Sequence, residues 1–105
     1  MIGNQQRKQL ESIAATMAMG EPKEIQFRIL RKRYKVDRNS TTGYPIIMVI
    51  KYLSNGDIEN AGYMSSCREH YSAVDKAKEL ARYLRDTLKV DGEQVKIKDE
   101  STGEK

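Results

Sequence analysis

The sequence predicts a single α+β domain in the order α-β-β-β-α-β, with a mainly antiparallel sheet of three or four strands covered by two helices. Three observations carry that expectation. Residues 4–19 and 72–89 repeat apolar side chains at helical spacing. Residues 24–36 open with strict alternation, Ile25, Phe27 and Ile29 against Gln26 and Arg28. Ser54-Asn55-Gly56-Asp57 separates two apolar runs and marks a hairpin. A chain of 105 residues is one domain. It can bury roughly two thirds of its unfolded surface and needs no metal or disulfide staple. Residues 1–98 are assigned to the domain, and the polar stretch 99–105 to a disordered tail.

In the first helix Asn4 is the expected N-cap, Leu10, Ile13, Ala14 and Met17 form a narrow apolar stripe, and Gly20 and Pro22 end it. The first strand is unusual. Its apolar character switches face near Leu30, after which Arg31, Lys32, Arg33 and Lys35 crowd around Tyr34. Either a bulge near Leu30 restores one buried face, or the strand leaves the core and continues as an exposed arm. The stretch "DRNSTTG", 37–43, is a loop.

The second strand, 44–53, starts with Pro45 near its end, where a missing N–H is tolerated. Its unbroken centre, Ile46 to Ile50, suggests burial on both faces, hence one helix on each side of the sheet. The alternative is one covered face and a second apolar face used in dimerisation. Asn55-Gly56 suits a type I′ turn with two positive-φ residues. That turn sets Leu53 opposite Ile58, Tyr52 opposite Glu59, Ile50 opposite Ala61 and Met48 opposite Tyr63. The third strand is expected from about Ile58 to Met64, with Gly62 marking a close approach. In the second helix Ser72 and Asp75 have capping-box spacing, and Val74, Ala77, Leu80, Ala81, Leu84 and Leu88 make the stripe. Gln94–Lys98 alternates as a short fourth strand.

The net charge of +4 is concentrated. Residues 23–38 hold seven basic and two acidic residues, so the rest of the chain is slightly acidic. Cations beside an aromatic suit a phosphate backbone, and a hairpin spanning 31–44 has the form of a ribbon that fits a major groove. Arg28, Arg31, Lys32, Arg33, Tyr34, Lys35 and Arg38 are therefore the candidate contacts for nucleic acid or another acidic partner. The opposing explanation is edge protection, since Lys and Arg on exposed strands block edge-to-edge pairing.

The α-β-β-β-α order is similar to that of the double-stranded-RNA-binding domain. That family grips phosphate with a lysine-rich helix start, whereas the second helix here opens "SAVDKAK", with Lys76 and Lys78 alone; the similarity is one of topology.

Cys67 and His70, three residues apart, are the only cysteine and histidine. They are too few for a zinc site, and neither an orienting group nor an oxyanion site accompanies them. No phosphate-loop, dinucleotide or zincin motif is present, and no carboxylate pair is placed for acid–base work. No enzyme activity, metal or cofactor is expected. The six tyrosines suit core, rim or a protein interface, which Met17 and Met19 could join. No apolar run approaches the roughly 20 residues that span a bilayer, the N-terminal stretch lacks a signal-peptide centre, and the lone thiol fits a reducing cytoplasm.

The expectation is a small, non-enzymatic regulatory binding protein, monomeric or homodimeric, that meets nucleic acid through its basic strand. The alternative is a protein–protein module: an adaptor or inhibitor, of the kind a phage uses, docking on a polymerase or nuclease.

Overall fold

The computed structural model describes residues 2–37 and 40–100, leaving aside the side chains of residues 34–37, 40–42 and 61. Helix α1 (Asn4–Ala18) precedes strands β1 (Glu24–Asp37), β2 (Ser40–Tyr52) and β3 (Ile58–Ser66). Helix α2 (His70–Arg82) continues into a π-helical turn, Tyr83–Thr87, and strand β4 (Val95–Asp99) ends the fold. The sheet order is β3-β2-β1-β4. β1 pairs antiparallel with β2, and β2 with β3, while β4 lies parallel to β1. The parallel ladder follows from the connection. A helical crossover returns the chain to the same end of the sheet, so β4 runs as β3 does, and β1 already runs that way.

Both helices cover one face. Ile25, Phe27 and Ile29 of β1, Pro45, Ile47 and Val49 of β2, Met64 of β3 and Val95 of β4 are buried there. They meet Leu10, Ile13 and Met17 of α1 and Ala73, Ala77, Leu80 and Ala81 of α2, with Leu84 from the π turn. This corrects the expectation of one helix on each side. Ile46, Met48 and Ile50 on the other face are only half-buried. An aliphatic run has the same appearance in sequence whether its second face is covered by a helix or lies bare.

Local signals shift by small amounts. The α1 N-cap is Gly3, not Asn4, and Gln6 Oε1 accepts the Gly3 N–H at 3.1 Å. The α2 N-cap is Glu69, so Ser72 lies within the first turn and does not cap. α2 stops short of Lys89. Leu88 N–H reaches back to Tyr83 O at 3.1 Å, and Lys89 takes a left-handed φ of 62°. In the β2–β3 turn only Gly56 has positive φ, 93°, so the turn is not type I′. Gly56 N–H bonds to Leu53 O, and Leu53 N–H to Asp57 O. Asn55 Oδ1 accepts the Asp57 N–H at 2.9 Å, giving the turn its own side-chain brace.

The longer turn places Tyr52 opposite Ile58 and Ile50 opposite Asn60, one residue from the expected register. Two irregularities in β3 then bring Met48 opposite Tyr63, the expected pair. Gly62, beside one of them, has φ 111°, and a Cβ there would meet nothing within 4 Å. Its glycine serves backbone conformation, not the close approach anticipated. β4 extends to Asp99, and Glu100 N–H bonds to Ile29 O at 2.8 Å, so these two residues of the expected tail continue the sheet. Residues 101–105 lie outside the described residues. No helix among the described residues is long and apolar enough to cross a membrane.

Candidate nucleic-acid interface

β1 and β2 are much longer than their neighbours. β4 pairs with β1 only as far as Ile29, and β3 pairs with β2 only from Ile46. Beyond those points β1 and β2 pair only with each other, from Arg31↔Pro45 through Lys32↔Tyr44, Arg33↔Gly43, Tyr34↔Thr42 and Lys35↔Thr41 to Asp37↔Ser40. This is a two-stranded ribbon, about 24 Å long for seven residues at strand rise. Of the two readings of the switch at Leu30, the arm holds. Pairing is continuous through Leu30, and the irregularity falls between Lys35 and Asp37.

The pleat sorts the ribbon's side chains. Arg31 and Arg33 stand on the face that continues the helix-covered side, and Lys32 on the other, where its cross-strand partner is Tyr44. Arg31, Lys32 and Arg33 are all exposed. Arg31 Nη1 donates to Gly43 O at 3.3 Å, which draws that guanidinium across the ribbon. Gly43 makes room for this arrangement. A Cβ on it would lie 2.7 Å from Lys32 O, 3.1 Å from Arg31 Cγ and 3.4 Å from Arg33 Cγ. The two arginine stems therefore flank a bare stretch of backbone. Residues 31–44 hold five basic residues and one acidic, a net +4 equal to that of the whole chain, and the remainder is electrically balanced.

Arg28 does not join this cluster. It sits in the four-stranded part, opposite Met48 and Lys98. Its Nε donates to Gln26 Oε1 at 2.9 Å, its Nη2 donates to the Tyr52 hydroxyl, and Nη1 lies 3.8 Å from Glu100. Tyr52 in turn donates to Gln26 Oε1 at 3.1 Å. These partners turn the guanidinium toward the start of β1, away from the ribbon. Arg38 and the side chains of Tyr34 and Lys35 lie outside the described residues. Two residues absent from the sequence-based set belong to the ribbon: Gly43, which admits the arginine stems, and Tyr44, paired with Lys32. Pairing the basic strand against its partner across the hairpin was the signal that would have found both.

Other candidates take structural places. Cys67 follows β3 in the connector, packs beside the core, and its N–H bonds to Pro45 O at 3.0 Å. His70 is the first residue of α2, and its Nε2 lies 2.5 Å from Asp99 Oδ2, tying the helix start to the end of β4. Met17 is buried while Met19 is exposed, so they form no common patch. Tyr52 and Tyr63 share the uncovered sheet face with Tyr44. Among the described residues no group of three or more His, Cys, Asp or Glu could hold a metal ion. No family model, curated protein or solved structure matches the chain.

Proposed function

We propose that the protein is a non-catalytic nucleic-acid-binding regulator and that its β1–β2 ribbon makes the contact. The observation that carries this reading is the coincidence of charge and shape. The chain's whole net charge falls on the one segment that stands clear of the sheet. A strand with neighbours on both sides offers cations only from its faces, whereas a free ribbon offers them from both faces and both edges. Two strands about 4.8 Å apart, with their side chains, match a major groove about 12 Å wide. Arginine stems lying over Gly43 put guanidinium groups near the ribbon surface, where they can displace counterions from phosphates. Edge protection explains the ribbon less well. Blunting an edge takes one or two charges, not a basic residue at nearly every position from 31 to 35.

The test is charge reversal. Arg31→Glu combined with Arg33→Glu is expected to abolish nucleic-acid binding while leaving the circular dichroism spectrum unchanged, because neither side chain enters the core. Wild-type affinity in the folded double variant would overturn the assignment. Salt-tolerant capture of one dominant protein, with no nucleic-acid binding, would favour the protein–protein module.

A further inference from the structure

The sheet face that no helix covers is aliphatic at its centre. Ile46, Met48 and Ile50 line β2, Leu30 stands beside Ile46 on β1, and Tyr63 and Ile58 stand opposite Met48 and Tyr52 on β3. Ile58 and Tyr63 leave 60% and 53% of their surface exposed. Apart from Met1, the residues outside the description are polar and supply no cover: Arg38, Asn39 and the stretch Ser-Thr-Gly-Glu-Lys at 101–105. A contiguous apolar face of this kind marks an interaction surface.

We propose that this face is the interface of a homodimer in which two copies pack sheet on sheet. Shape is the first argument. A twisted sheet fits a second sheet of the same twist, with the strands about 30° apart and the sheets about 10 Å apart. A copy of the chain supplies that surface. Area is the second. Four strands and about nine residues per strand give a face roughly 19 Å by 30 Å, a flat footprint of about 550 Å² before side-chain relief is added. A stable interface needs about 800 Å² of accessible surface per partner. The corrugated face is of that order without help from the helices.

Charge is the third argument. Arg28 is the one charged side chain in the middle of the face, and Gln26, Tyr52 and Glu100 already engage it. A guanidinium with such partners costs far less to cover than a bare one. Lys96 and Lys98 stand on β4, to one side. A two-fold axis near β2 and β3 joins the aliphatic halves and leaves both pairs of lysines at the solvated rim. Nucleic acid is a poor occupant of this face. Ile46, Met48 and Ile50 present neither a cation nor a π surface, and the stacking and phosphate contacts of a strand need both. The inference stands whether or not the ribbon binds nucleic acid.

Sedimentation equilibrium of the full chain tests it. The wild type is expected at twice the chain mass, and Met48→Glu and Ile50→Glu are each expected to weaken association by about a hundredfold or more. Circular dichroism checks that the variants fold. A monomeric wild type, or folded variants that remain dimeric, would overturn the proposal. If the glutamate variants unfold, crosslinking decides. Met48→Cys in a Cys67→Ser background is expected to crosslink with a short bis-maleimide, and Lys78→Cys, exposed on α2, is not. Equal crosslinking at both positions, or none at Met48→Cys, would likewise refute a sheet-on-sheet dimer.

Discussion

Gly43 stands opposite Arg33 across the ribbon, and a Cβ built on it would come within 2.7 Å of the Lys32 carbonyl oxygen. No side-chain rotation relieves a contact between a Cβ and backbone. The ribbon's path near its base therefore depends on that one missing methyl group. Gly43→Val is expected to force the strands apart locally, at a cost of about 1–3 kcal/mol. Backbone amide shifts should change for residues 31–45 and stay in place around Phe27. Shift changes spread through the core, or none at all, would contradict this role.

Gly62 makes a different demand. Its surroundings are open, but φ is 111°, so Gly62→Ala is penalised by backbone conformation alone. The expected loss is about 1–3 kcal/mol. For a domain of this size each kilocalorie lowers the melting temperature by about 4–8 °C. Thermal unfolding measures it directly, and an unchanged melting temperature would mean that β3 does not need its irregular turn of backbone.

Ile29 and Leu30 are chain neighbours on opposite faces of β1. Ile29 is fully buried under the helices, and Leu30 lies half-buried on the open face. In dilute solution Ile29→Ala should cost about 2–5 kcal/mol, as core truncations do. Leu30→Ala should cost clearly less. Equal losses in urea denaturation would contradict a sheet covered on one face only.

β4 has five residues and one strand neighbour, and the contact between His70 and Asp99 fastens its end to α2. Both side chains are about one third exposed, so solvent weakens the pair. Asp99→Ala should therefore change global stability by about 1 kcal/mol or less. Its effect should be local: faster amide exchange at Ile97, Lys98 and Asp99, with β2 unaffected. Unchanged exchange at those positions would show that the ladder to β1 holds β4 without the histidine.

The particular residues show why parts of this architecture were legible in the sequence. Ile25, Phe27 and Ile29 alternate with polar neighbours, and that alternation names both the strand and its buried face. The stripe Ala77, Leu80, Ala81 and Leu84 did the same for α2. The basic stretch from Arg31 was also readable, because a core strand has no use for cations at consecutive positions. The bare second face was not readable. Ile46, Met48 and Ile50 screen one another within the sheet, and their composition is that of a doubly covered strand. The β2–β3 register shifted because Asn55 braces the turn through Asp57 instead of taking positive φ itself. The separation of Arg28 from the other cations depends on Tyr52 and Glu100, which lie 24 and 72 positions away in sequence and carry no local mark.

The most direct measurement is a fluorescence-anisotropy titration of labelled duplex DNA, single-stranded DNA and duplex RNA with the wild-type protein at a series of salt concentrations. With four or five ribbon cations on phosphates, the logarithm of affinity for duplex DNA should fall against the logarithm of salt with a slope of about −4. Preference for a duplex would mark groove insertion by the ribbon. Absence of binding to all three at low salt would contradict the account and leave the ribbon as a docking arm for protein.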